Sequence, residues 1–170
     1  MKKGAIIIFI TVLIDQVTKH LAKALIPPLL VGSNDNIVWI PYLLELSYHE
    51  NTGASLGILK DQQFLFMIIT VIALGVFGYL FLESDYKNKK VYSLSIAFFI
   101  GGTLGNAIDR ALFGYVIDFL HYPFINPIAT FYNNFADLFL SAAIVLFAID
   151  LFIFDPKRQK EGKKDAQIQD

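Results

Sequence analysis

The sequence predicts a mainly α, polytopic membrane protein with four transmembrane helices and a small extracytoplasmic β platform. Three observations carry that prediction. Of the 170 residues, 55% are hydrophobic and 17% charged, with a mean hydropathy of +0.54, whereas a soluble domain averages about 45–50% apolar and about 25% charged. The apolar excess is gathered into four long runs that a water-soluble core of this size could not hide. Lys and Arg flank those runs asymmetrically, as they do around membrane spans. The same composition speaks against disorder and nucleic-acid binding. The absence of cysteine excludes thiol catalysis, Cys-ligated metal and a disulfide scaffold.

The elements follow in order. The first span covers about residues 4–26 and is interrupted by Asp15, Lys19, His20 and Lys23. Its start, Lys2-Lys3 followed by Ala5–Ile14, has the outline of a signal peptide with Ala22-Lys23-Ala24 as a cleavage site. An Asp and two lysines ahead of that site, and three further spans, favour a retained helix. Residues 27–63 form the platform. Within it Asn36–Tyr48 is rich in β-branched and aromatic residues beside the turn-forming Gly32-Ser33-Asn34-Asp35. Trp39 and Tyr42 suit a bilayer interface. The second span, 64–82, has 19 residues without a charge and reaches about 28 Å. The third covers about 91–108. Residues 109–134 read as an outer loop holding Gly114–His121 and the turn residues Pro123 and Pro127. The fourth span covers 135–154, with Asp150 snorkelling at its end. Residues 1–155 thus form one membrane-embedded domain, and 156–170 a basic, disordered tail. Placing both termini in the cytoplasm puts ten of the fourteen Lys and Arg on the inner side.

Ionisable residues at membrane depth are costly and default to function. Asp15 and Lys19 stand one turn apart and can form an ion pair. The run Gly101-Gly102-Thr103-Leu104-Gly105-Asn106-Ala107-Ile108-Asp109-Arg110 combines close-packing glycines with polar groups; taken alone, it reads as a packing seam ending in an interfacial Arg. Asp118, in Val116-Ile117-Asp118-Phe119, and Asp137, opening the fourth span, are both placed at the outer face. Two carboxylates in such a site share a proton, so one can activate water while the other donates. That is the apparatus of an aspartic protease. Other readings remain open: His121 and Asp109 joining the two aspartates around a metal, a proton-coupled carrier using Asp15, Lys19 and Asp118, or a structural subunit. Ser55 and Ser141 have no base arranged to activate them. His20 and His49 read as interfacial or loop residues.

Five motifs together resemble the lipoprotein signal peptidase (signal peptidase II) family over nearly the whole chain. They are Asp15-Gln16-Val17-Thr18-Lys19, Asn51-Thr52-Gly53-Ala54-Ser55, the Gly101–Arg110 run, Val116-Ile117-Asp118-Phe119 and Asn134-Phe135-Ala136-Asp137. The resemblance implies an integral membrane aspartic endopeptidase of the bacterial cytoplasmic membrane, acting at its outer face. It would cleave prolipoproteins just before a diacylglyceryl-modified cysteine. It implies Asp118 and Asp137 as the catalytic pair. Asp15, Lys19, Asn51, Gly102, Asn106, Arg110 and Asn134 would be supporting or substrate-binding residues. It implies no metal and no cofactor, membrane lipid as surroundings, a β platform that helps clamp substrate, and inhibition by the peptide antibiotic globomycin. One departure stands out: Asn133 occupies the place of an aromatic residue before Asn134, where it could compete for the hydrogen bonds of Asn134.

Overall fold

The computed structural model describes residues 1–26, 36–53, 62–125 and 131–161. The expected turn at 32–35, Ala54, Ser55, Pro127 and the end of the tail lie outside them. Among the described residues four helical stretches are long and apolar enough to cross a membrane: α1 (Lys2–Leu25), α2 (Gln63–Leu82), α3 (Lys90–Phe113) and Phe135–Glu161, whose first part is α4 (Phe135–Ile149). At 24 residues each, α1 and α3 are about 36 Å long. Gly114 ends α3 in the left-handed region, φ 80°, with its N–H on the Arg110 carbonyl, a conformation an L side chain resists. Asn134 starts α4 through a capping box with Asp137.

At one end of the bundle lies an antiparallel sheet of order β1-β2-β3-β4: β1 (Ile37–Ile40), β2 (Leu44–Asn51), β3 (Val116–His121) and β4 (Tyr132–Asn133). All six residues of β3 are buried, as the central position of an apolar strand requires. Ile117, Phe119 and Leu120 of that strand pack with Tyr48 against Ala22 and Ile26 at the end of α1. The sheet is therefore seated on the helices. The β1–β2 turn holds Tyr42 at φ 65° and leaves it and Trp39 exposed. An interfacial aromatic would occupy such a place.

In the bundle, α3 is central, packed against α1, α4 and α2. Its glycines set the spacing. A Cβ on Gly101 would lie 2.6 Å from Thr11 of α1, one on Gly102 2.7 Å from the Ala136 carbonyl of α4, and one on Gly105 2.5 Å from Asp15.

The structure revises four expectations. Helix α3 continues to Phe113, so Asp109 and Arg110 are helical. Residues 109–134 are more than an outer loop, because they supply β3 and β4, half the sheet. After α4 the chain passes through a π segment, Asp150–Phe154, and stays helical to Glu161, so the tail is ordered at least that far. Its order has a cause in Arg158, which forks onto both oxygens of Asp150 at 3.0 and 2.7 Å and onto Asp155 at 3.1 Å. Asp150 is buried and paired; it does not snorkel.

Candidate active site

A buried charge in a membrane must carry its partners with it. Lys19, fully buried on α1, uses all three ammonium protons: on Asp15 at 2.9 Å, on Asp109 at 3.0 Å and on Asn106 at 2.9 Å. Asp15, one turn earlier, also accepts the Ala136 backbone N–H at 2.8 Å, which fastens the start of α4 to α1. Asp109 accepts the Ile117 N–H at 3.0 Å and so fixes β3 to α3. The Gln16 amide bridges Asp109, the Gly105 carbonyl and Asp15. Three helices and one strand meet on this cluster.

Above it stand the two aspartates. Asp118 lies on β3 opposite His49 and is 1% exposed. It accepts from the Asn51 amide at 2.8 Å and the Asn134 amide at 2.6 Å. Asp137, in the first turn of α4, accepts from the Asn106 amide at 2.8 Å and the Asn134 backbone N–H at 3.2 Å. It keeps part of its surface. The Asn134 amide also donates to the Asn106 side-chain oxygen, Oδ1, at 3.1 Å. Asn134 therefore holds both carboxylates, one by its side chain and one by its backbone, while Asn106 links Asp137 to Lys19. Burial pushes the Asp118 carboxyl up to about 7, with the charge of Asp137 adding to the rise. The two carboxyls titrate as a pair, so the shift belongs to both groups.

Of the residues singled out by sequence, Asp15, Lys19, Asn51, Asn106, Asn134, Asp118 and Asp137 fall into this one hydrogen-bonded network. Gly102 contributes by letting α4 approach. Arg110 stands apart. Its guanidinium lies 4.4 Å from the centre of the Phe66 ring and donates to the Gly53 carbonyl at 3.3 Å. The Asn51 amide donates to Asp118 and its side-chain carbonyl accepts the Gly53 N–H, so Asn51 ties the end of β2 to the Asp118 carboxylate. Asn133 does not compete for the bonds of Asn134, because its side chain is engaged with the Tyr122 hydroxyl.

Sequence reasoning weighed Asp109 only as a metal ligand and gave Gln16 no role. Asp109 is spent on Lys19 and Ile117, and His121 on Glu45 at 3.0 Å beside the Tyr132 ring; neither joins the two aspartates. The usable signal was charge balance: Lys19 needs more than one acceptor when fully buried. Ser141 is back-bonded to the Asp137 carbonyl within its helix. His49 stacks on Tyr132, its pKa lowered by burial.

Comparison with known proteins adds a family context. Residues 7–153 match the family described as signal peptidase (SPase) II. A lipoprotein signal peptidase of Thermodesulfovibrio yellowstonii is 40% identical over 153 residues, covering 85% of this chain and 91% of the relative. One of Streptococcus pneumoniae is 39% identical, covering 88% and 94%. Two solved structures described as a bacterial membrane enzyme superpose with TM-scores of 0.75 and 0.73 at 32% identity. They cover 89% and 90% of this chain and 88% and 94% of their own.

Proposed function

The chain belongs to the signal peptidase II family, and on that footing we propose that it cleaves lipid-modified prolipoproteins with Asp118 and Asp137 as an aspartic pair. Membership makes it a multi-pass membrane protease acting on lipoprotein precursors. The observation that carries the finer reading is the hold of Asn134 on both carboxylates, one on the sheet and one at the start of a spanning helix.

With one proton on the pair, the ionised carboxylate removes a proton from water as the water oxygen attacks the scissile carbonyl carbon. The protonated carboxyl gives its proton to the carbonyl oxygen. Collapse of the gem-diol then breaks the C–N bond: the leaving nitrogen takes the proton from the carboxyl that had deprotonated water, and a gem-diol hydroxyl gives its proton to the other carboxylate. The pair again holds one proton beside a free acid and amine. Asp137, with part of its surface open, is placed to meet the water. Arg110 has donors beyond its bond to Gly53 and is suited to a substrate carbonyl or lipid ester oxygen. Asp15, Lys19, Asn51, Asn106 and Asn134 hold the pair in place. The scissile bond would precede a cysteine carrying diacylglycerol, whose acyl chains remain in the bilayer while the peptide reaches the sheet. Residues 1–155 would form the catalytic domain, with the sheet on the outer face of the bacterial cytoplasmic membrane and both termini inside. Globomycin would compete for the pair.

Purified full-length protein given a diacylglyceryl-modified prolipoprotein is expected to release the signal peptide, and globomycin to stop it. Asp118→Asn and Asp137→Asn should each lower the rate by about 10³-fold or more, with helical content unchanged. Turnover at the native rate by either variant would remove the dyad.

A further inference from the structure

At the end of the bundle away from the sheet, the start of α1 meets the turn between α2 and α3. Gly4 lies against Phe81 and Tyr86, so closely that a Cβ there would be 2.5 Å from the Phe81 ring. Tyr86 in turn donates to the Ser93 carbonyl at 2.8 Å. These contacts wall a cleft of about 610 Å³ whose rim carries Lys2, Lys3, Lys87 and Lys90. The cleft's one carboxylate, Asp85, offsets one of these four charges and leaves the rim net positive. Its oxygens are taken by the Lys87 and Asn88 N–H groups at 2.8 and 3.2 Å and by the Asn88 amide at 2.7 Å, which also holds its pKa below the usual carboxylate range. Among the described residues no acidic side chain lies within ion-pair distance of the four lysines.

Three further features agree. Neither α1 nor α3 has an acidic residue in its first turn or a side-chain cap, so both helix N-termini add positive potential here. Ser84 lines the cleft with a buried hydroxyl that has no hydrogen-bond partner. The cleft lies at one end of α1, α2 and α3, all long and apolar enough to cross a membrane. The topological preference for Lys on one side of a membrane accounts for lysines at this end. It does not account for the convergence of four of them on one cleft that holds a single carboxylate.

We propose that this cleft binds the phosphate of an anionic phospholipid headgroup, with Lys2, Lys3, Lys87 and Lys90 as its cationic rim and Ser84 as a hydroxyl donor. The inference is independent of the chemistry proposed for Asp118 and Asp137. The test uses the detergent-solubilised full chain and fluorescent phosphatidylglycerol or phosphatidylcholine, read by polarisation. The native protein should prefer phosphatidylglycerol. Lys87→Gln/Lys90→Gln should weaken that binding by about tenfold or more, and Lys87→Arg/Lys90→Arg should keep it. Lys157→Gln/Lys160→Gln, an equal loss of charge outside the cleft, should leave it within about twofold of native. Equal affinity for the two lipids, or equal weakening by both glutamine pairs, would overturn the proposal. Displacement of the lipid by millimolar inorganic phosphate would overturn the lipid as occupant in favour of the free anion.

Discussion

Helices α2 and α3 are both long enough to span a membrane, and they are built on opposite principles. Helix α2 is the most apolar of the four and buries none of its residues. Helix α3 is the least apolar and buries nine, among them Ser93, Ser95, Gly101, Gly102, Gly105 and Asp109. In water the order would be reversed. In a bilayer, lipid tails solvate Leu and Ile as well as a protein core does, so apolar area gives helices little reason to associate. Small residues allow backbone approach, and polar residues must find partners, so these face inward. Contact between α2 and α3 runs through the Phe77–Phe99 stack, 4.3 Å between rings, and a Tyr92 bond to the Leu80 carbonyl. Contact between α3 and its other neighbours adds the polar cluster of Lys19, Asp109 and Asn106 to close glycine approaches and the Phe98–Phe139 and Phe99–Phe147 pairs.

The largest expected difference comes from the charge at the centre. Lys19→Met leaves Asp15 and Asp109 buried without a cation, and removing one partner of a buried ion pair costs about 3–5 kcal/mol. The loss should appear as a large drop in unfolding temperature in neutral detergent, with prolipoprotein cleavage lost as well. Val76→Leu on the lipid face of α2, where the side chain is 52% exposed, should stay within about 0.5 kcal/mol of native. Equal effects of the two substitutions would erase the distinction between the helices.

That distinction explains what was legible in the sequence. Apolar runs mark helices whichever way they face, so the four spans were readable to within a few residues. Polar residues in those runs marked the inward faces, and they pointed to Asp15, Lys19, Asn106 and Asp137 without any fold. The strand β3 was harder to read: an apolar hexamer around Asp118 does not say which strand it pairs with, because that pairing joins residues far apart in the chain. The end of α3 was hidden for a related reason. Asp109 and Arg110 look like a helix stop by composition, yet tertiary partners, Lys19 for one and Phe66 for the other, carry the helix to Gly114. The order of Lys157–Glu161 depends on Arg158 reaching back to Asp150 across a π segment, a register that no periodicity announces.

Next in size is a pH effect centred on Asp118. Its carboxyl titrates near 3.8 when free and is pushed up to about 7 in the fold by burial, then by Asp137. A raised value means that the folded state holds a proton the unfolded chain has released. The stabilisation this brings is complete below pH 3.8 and is lost as pH rises to about 7, an effect on the order of a few kcal/mol. Unfolding temperature should therefore fall across that window, and Asp118→Asn, which cannot ionise, should flatten the fall. If the proposed pair carries the reaction, the same proton sets its alkaline limb, and the rate should decline above about pH 7. A stability profile identical in native protein and Asp118→Asn would detach the site from the titration.

The smallest effects compare glycines on the two helices. A methyl at Gly102 would press on the Ala136 carbonyl at 2.7 Å, and a backbone atom one residue from Asp137 cannot rotate away. Gly102→Ala should cost about 1–3 kcal/mol as overpacking and slow cleavage by shifting Asp137. Gly75 and Gly78 of α2 have nothing within 4 Å of such a methyl. There Gly→Ala keeps every contact and restricts only the unfolded chain, which should raise stability by about 0.4–1 kcal/mol for each site. Cleavage should be unchanged. Thermal unfolding of Gly75→Ala/Gly78→Ala beside Gly102→Ala, in one detergent, tests the sign directly. A fall for the α2 pair would mean that this face is packed against protein, so that α2 too has an inward side.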